Sequence, residues 1–139
     1  MKKQKNIVIT QQDMNRLQEL LSVADLFGYT GRDDLRGLEG ELARARVISP
    51  QNVPADVITM HSRARLRDLN TGETVEYTLV FPKDADIETG CISILAPLGT
   101  AMLGYRVGDE FSWNVPYGLR QFKVEEVLYQ PEAAGDFHL

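Results

Sequence analysis

The chain has 139 residues, 43% of them hydrophobic, and a net charge of −5. That apolar content supports a folded core and excludes a disordered chain, and the negative balance excludes a polycation built to neutralise phosphates. The charge is uneven: residues 1–49 carry eight Lys/Arg against seven Asp/Glu, residues 50–139 seven against thirteen, so the acidic second part suits a basic protein patch better than bare nucleic acid.

Residues 1–6 are basic, but only Ile7-Val8-Ile9 comes after them, too short a run for a signal-peptide core. No run is long enough to span a bilayer. The expectation is a soluble protein of a reducing compartment with no membrane contact. Thr10 followed three residues later by Asp13 is a near capping box and predicts a helix from Gln11. Met14, Leu17, Leu21 and Ala24 recur at heptad spacing, and Leu35, Leu38, Leu42 and Ala45 repeat it after a link containing Gly28 and Gly31. Two such stripes predict an antiparallel helical hairpin, a short coiled coil. Each helix spans roughly 15 residues, about 22 Å at 1.5 Å per residue, with Pro50 as the stop of the second. Its two glycines, Gly37 and Gly40, make the pair marginal alone, so the hairpin is expected to lean on the second part of the chain.

From Pro50 onward the pattern is that of an antiparallel β domain. Over 57–69 the alternation places Ile58, Met60, Ala64 and Leu66 inward and Thr59, His61, Arg63, Arg65 and Arg67 outward. Asn70-Thr71-Gly72 signals a turn. Val75, Tyr77, Leu79 and Phe81 mark the next strand, which Pro82 ends. Cys91, the only cysteine, rules out an intrachain disulfide, and its apolar strand predicts a buried structural thiol. Ile92 and Ile94 keep period two. Spacing turns helical at Pro97, with Leu98, Ala101 and Met102, and Gly104 suits the left-handed residue that ends a short helix. Phe111, Trp113 and Val115 share a strand face, and Pro116-Tyr117-Gly118 turns into the last strand, 122–129. There Phe122 and Val124 share one parity and Val127 and Tyr129 the other, so a β-bulge at Glu125-Glu126 is expected to restore register.

The segment Pro97-Leu98-Gly99-Thr100-Ala101-Met102-Leu103-Gly104-Tyr105-Arg106-Val107-Gly108-Asp109 resembles the Pro-Leu-x-x-Ala-Leu-Leu-Gly-x-x-Val-Gly-Asp segment in the C-terminal domain of the GreA/GreB transcript-cleavage factors. Pro54-Ala55-Asp56-Val57-Ile58-Thr59-Met60-His61-Ser62-Arg63 and the tail Tyr129-Gln130-Pro131-Glu132-Ala133-Ala134-Gly135-Asp136 resemble the Rnk branch of that superfamily, the regulators of nucleoside diphosphate kinase. The resemblance covers nearly the whole chain. It implies an α+β fold: a short N-terminal helical hairpin over 1–50 and an FKBP-like antiparallel β domain with a short helix over 51–139. It also implies binding to RNA polymerase near the secondary channel, through a docking surface of Ala96, Pro97, Leu98, Ala101 and Met102 forming an exposed apolar patch. The function implied is regulation by occupancy and competition, with no catalysis, no cofactor and only indirect contact with nucleic acid; the oligomeric state is left open.

Three other features bear on chemistry. Gre factors use carboxylates at a coiled-coil tip to hold a second Mg²⁺ in the polymerase, and Asp33 and Asp34 stand at this hairpin's tip. The alternative function is therefore a true transcript-cleavage factor. The plainer role for these two residues is capping of the second helix. Arg63, Arg65 and Arg67 form a cationic stripe, read either as a phosphate- or acidic-surface contact or as a solvated sheet edge paired with Asp68, Glu73 and Glu76. Tyr77, Phe81, Tyr105, Phe111, Trp113 and Phe122 could line a pocket, which makes peptidyl-prolyl isomerisation a distant alternative, but aromatics at alternating strand positions are more simply core. His61 and His138 have no metal-ligand spacing.

Overall fold

The computed structural model describes residues 7–26, 33–115 and 118–136, without the side chains of 24–26, 33–37, 97 and 113–115. Thr10 starts the first helix as the sequence predicts: the Asp13 amide donates to the Thr10 hydroxyl at 3.2 Å, and α1 runs Gln11–Leu26. The second helix, α2, is Asp33–Ala43. Met14, Leu17, Leu38 and Leu42 are buried, with Leu21 and Ala45 packed against them. The link holding Gly28 and Gly31 lies outside the described residues, as do the side chains of Ala24 and Leu35.

The second helix is shorter than its heptads suggest, at 11 residues, and Pro50 is not its stop. The cause is a pairing with no signal in the local pattern. Val8–Ile9 forms β1, which lies parallel to β2, Arg46–Val47. Arg46 N–H donates to the Ile7 carbonyl and Ile48 N–H to that of Ile9, each at 2.9 Å. Extended backbone after Ala43 is the condition for that ladder, and Pro50 instead opens the 3₁₀ turn Pro50–Asn52.

The remaining strands form one sheet in the order β5-β4-β3-β7-β6: β3 is Arg63–Asp68, β4 Thr74–Val80, β5 Cys91–Ser93, β6 Glu110–Val115 and β7 Gly118–Tyr129. Three neighbouring pairs are antiparallel, but β4 and β5 run parallel, so the sheet is mixed. Pro82 ends β4, and the turns Pro82–Asp84 and Ile87–Thr89 carry the chain back to the starting end. Gly90, left-handed at φ 79°, then admits β5. Cys91 is half-buried on this edge strand and not fully buried as the sequence suggests.

Strand β3 begins later than the alternation over 57–69 implies. Residues 59–62 make a turn closed by Ser62 N–H donating to the Thr59 carbonyl at 3.0 Å, with His61 at φ 67°. The turn breaks the alternation. Thr59 therefore points inward, 3% exposed, and its amide donates to Ser62 Oγ at 2.9 Å. The Asn70-Thr71-Gly72 turn forms as predicted, with Asp68 accepting from the amides of Asn70 and Thr71 at 2.8 and 3.3 Å. Strand β7 skips a residue at Glu125, the expected bulge, and again at Leu128, so that Val124 pairs with Leu66 and Val127 with Ala64.

A single apolar cluster joins the hairpin to the sheet. Ile7, Ile9, Met14, Leu17, Leu38 and Leu42 belong to the same core as Ile58, Leu66, Leu79, Ile94, Met102 and Val124. The hairpin does lean on the second part. At Gly104 the two parts pack closely. The φ of this glycine is +87°, and a Cβ built there would sit 1.9 Å from Ile7 Cγ2. The tail is tied back as well: Gln130 Nε2 donates to the carbonyls of Pro54 and Val57, both at 2.7 Å, before the one-turn helix α4, Pro131–Ala134.

Candidate functional site

The turn after β5 is held by its own short-range bonds. Leu95 N–H donates to Ser93 Oγ and Ala96 N–H to the Ser93 carbonyl, both at 3.0 Å. Next comes the helix α3, Pro97–Met102, with a proline at its first turn and no side-chain cap; proline suits that position because it has no N–H to leave without a partner. Thr100 Oγ1 donates to the Ile94 carbonyl at 2.7 Å. Gly99 allows the helix to press on the strand end: a Cβ there would lie 2.0 Å from the Ser93 carbonyl oxygen. On the far side Gly104 reverses the chain, and Arg106 N–H donates to Asp109 Oδ2 at 2.8 Å. The result is a rigid, surface-mounted turn.

Its composition differs from the expected patch of five. Leu98 and Met102 are 4% and 0% exposed and cannot form an open contact. They stand four residues apart, hence on one helix face, and a six-residue helix laid on a sheet must bury that face. Ala96 and Ala101 are half-buried and reach the surface beside Leu95, while the Pro97 side chain lies outside the described residues. The neighbouring surface adds apolar area that sequence alone did not assign. A groove of about 380 Å³ lined by Ile87, Cys91, Ile92 and Ala96 runs along the β5 edge, and Ile87 is 66% exposed. It escapes sequence reading because residues 87 and 96 meet only through the parallel crossover.

The other candidate residues are not brought to this turn. Asp33 and Asp34 open α2, but their side chains lie outside the described residues, as does His138. Among the described residues no three His, Cys, Asp or Glu side chains cluster as metal ligands. Arg63, Arg65 and Arg67 do share one face, on the sheet's central strand and not at an edge. Arg63 pairs with Glu76 at 3.4 Å, Arg65 with Glu76 at 3.3 Å and Glu126 at 3.2 Å, and Arg67 with Glu125. Asp68 turns to Arg120 instead, which holds its carboxyl below the usual carboxylate range. The stripe is thus one half of a cross-strand charge ladder. Among the described aromatics, Phe111 stacks between Tyr105 and Phe122 with centroids at 4.8 and 5.8 Å. Phe111 and Phe122 are buried, so these stacked rings belong to the core, whereas Phe81 lines a separate cleft. The Trp113 ring lies outside the described residues.

A charged joint between hairpin and sheet had no sequence signal beyond the capping box. Asp13, 3% exposed, pairs with Arg16. Burial pushes its carboxyl up to about 6, with Arg16 opposing. The Arg16 guanidinium lies 5.0 Å from the Phe81 ring centre, and Thr59 Oγ1 donates to Glu132 at 2.7 Å.

Comparison with known proteins matches both parts of the chain. The family described as transcription elongation factor, GreA/GreB, C-term matches residues 53–129, and that described as Rnk N-terminus matches residues 5–48. The regulator of nucleoside diphosphate kinase of Escherichia coli (strain K12) is 41% identical over 134 residues, 96% of each chain. Transcription elongation factor GreA of Syntrophotalea carbinolica is 36% identical over 95 residues, covering 68% of this chain and 60% of that longer one. The solved structure of a prokaryotic transcription elongation factor GreA/GreB from Nitrosomonas europaea superposes with a TM-score of 0.76 at 39% identity, over 91% of this chain and all of that one. The chain belongs to the GreA/GreB transcription elongation factor family, in its Rnk branch of regulators of nucleoside diphosphate kinase.

Proposed function

We propose that this protein is a cytoplasmic, RNA-polymerase-binding regulator that acts by occupying the secondary channel and competing there with GreA-type factors, not by catalysis and without a cofactor. The observation that carries the reading is the turn 93–104, a family-matched segment locked to the sheet end by local bonds and glycine close packing. A fixed protrusion with small side chains, here Ala96 and Ala101 beside Pro97, lets a partner backbone approach closely without an entropic penalty for ordering a loop. Leu98 and Met102 act from beneath by holding α3 in place. We assign residues 1–50 to the hairpin and 51–139 to the docking domain.

The hairpin argues for occupancy over chemistry. At 16 residues α1 rises about 24 Å at 1.5 Å per residue. Met14 and Leu17 lie in the shared core and Leu20 and Leu21 pack against it, so α1 is anchored along much of its length. Contact with nucleic acid in the elongation complex is then indirect, and the Arg63–Arg67 ladder, already neutralised by Glu76, Glu125 and Glu126, is not a phosphate site. The test is co-elution of the full chain with core RNA polymerase, with and without excess GreA. Displacement by GreA is the expected result. A ternary complex containing both factors would overturn the competition.

A further inference from the structure

We propose that the cleft between α1 and the turn Pro82–Asp84 is a binding site for a small monoanion carrying a flat aromatic body. The cleft lies at the joint between hairpin and sheet, away from the docking turn, and encloses about 660 Å³, inside the range of roughly 300–1,000 Å³ usual for small-molecule sites. Its floor is apolar. Leu20 supplies one wall from α1 and the half-buried Phe81 ring the other. The Phe81 ring already has Arg16 over it at 5.0 Å and the His61 ring tilted by 53° at 5.7 Å, so it is oriented before any ligand arrives.

Charge sets the ligand's sign and number. Lys83 is exposed at the mouth and makes no ion pair among the described residues, whereas most other basic side chains around the sheet are paired. After burial, Arg16 is the largest influence holding the His61 imidazole below its ordinary value; Lys83 adds to it, and Asp84 opposes. With His61 neutral and Arg16 paired to Asp13, Lys83 is the cation left to meet the anionic group. Glu19 and Asp84 stand on the rim and limit the ligand to one negative charge, since a polyanion would meet both. His61 is also the one described non-glycine residue at positive φ, 67°, and its Nδ1 is buried without a hydrogen-bond partner. Such cost persists where the surroundings hold a residue in place, and it concentrates at ligand sites.

The experiment titrates the full chain with naphthylacetate, naphthylacetamide and naphthylethylamine, which share a ring and differ in charge, while backbone amide NMR spectra are recorded. Saturable shifts at Leu20, His61 and Lys83 with the acetate are expected, with the amide about tenfold weaker for want of a charge-assisted bond and the amine weaker again. Lys83→Glu, a surface change that leaves the fold intact, should abolish the preference for the acetate. Equal binding of all three probes, shifts centred elsewhere, or no saturable shift would each overturn the proposal.

Discussion

Replacing Gly104 by alanine tests whether the hairpin and the sheet are one cooperative unit. The new methyl group would sit 1.9 Å from Ile7 Cγ2 and 2.5 Å from Ile7 Cβ, so Ile7 or the backbone must move. Overpacking of this kind costs about 1–3 kcal/mol, and a non-glycine residue at φ +87° costs roughly another 1–2 kcal/mol. The sum, about 2–5 kcal/mol, is reduced by less than ~1 kcal/mol through the lower entropy of the unfolded chain. For a chain of this size about 1 kcal/mol moves the melting temperature by roughly 3 °C, so a fall of about 6–15 °C in a single thermal transition is expected. The double-mutant cycle isolates the contact. Ile7→Ala alone leaves a cavity costing about 2–5 kcal/mol. In that background Gly104→Ala should lose its steric part and cost only the backbone part. Additive losses would refute the argument, because they would mean that Ile7 and Gly104 do not touch. Two separate melting transitions in the wild type would refute it more broadly, since the shared core requires the two parts to unfold together.

Ala101→Glu sets a charge on the half-buried face of α3; loss of co-elution with core polymerase at unchanged far-UV circular dichroism is expected, and wild-type affinity would remove the docking assignment. Asp13, with its native carboxyl at about 6 against 3.8 for the free residue, binds its proton more tightly folded than unfolded, so its contribution is fully present below 3.8 and is lost as pH rises through 6. Asp13→Asn should therefore flatten the stability profile across that window and stabilise the protein at pH 7 by at most about 3 kcal/mol, which denaturant titrations at several pH values would check. Asp33→Asn with Asp34→Asn should leave polymerase binding unchanged, since asparagine caps helices as well as aspartate, and the wild type should cleave no RNA in a backtracked elongation complex; cleavage that vanishes in the double variant would establish the transcript-cleavage alternative.

What was legible in the sequence was local. The Thr10–Asp13 cap, the Asn70-Thr71-Gly72 turn, the Glu125 bulge and the strand-to-helix switch at Pro97 each depend on residues within a few positions, and each formed. The misreadings came from long-range pairing. Nothing near Ala43 says the helix must stop so that Arg46–Val47 can meet Val8–Ile9, and nothing near Cys91 says its strand will run parallel to β4. Thr59 looked outward because alternation was carried through a turn that His61 alone, at positive φ, makes possible. Leu98 and Met102 were read as exposed for a related reason: apolar type marks a residue for burial or for contact alike, and only the packing of α3 separates them from Ala96 and Ala101.

That separation bears on how the turn works. A contact built of large exposed apolar side chains would be a standing aggregation liability on a small acidic protein. Here the large side chains are spent inward, where they fix α3, and small ones are left outward. If the turn docks as proposed, binding rests on shape: on how closely a partner backbone can approach Ala96 and Ala101, with Ile87 and the β5-edge groove beside them. A surface of that kind tolerates any partner side chain that fits but no added bulk or charge of its own. Ala101→Ser should therefore bind nearly as well as wild type, while Ala101→Leu, though more hydrophobic, should bind worse. If the leucine variant co-eluted with polymerase more tightly than wild type, apolar area and not close approach would be the source of affinity, and the turn's role would need to be rebuilt around Ile87 and its groove.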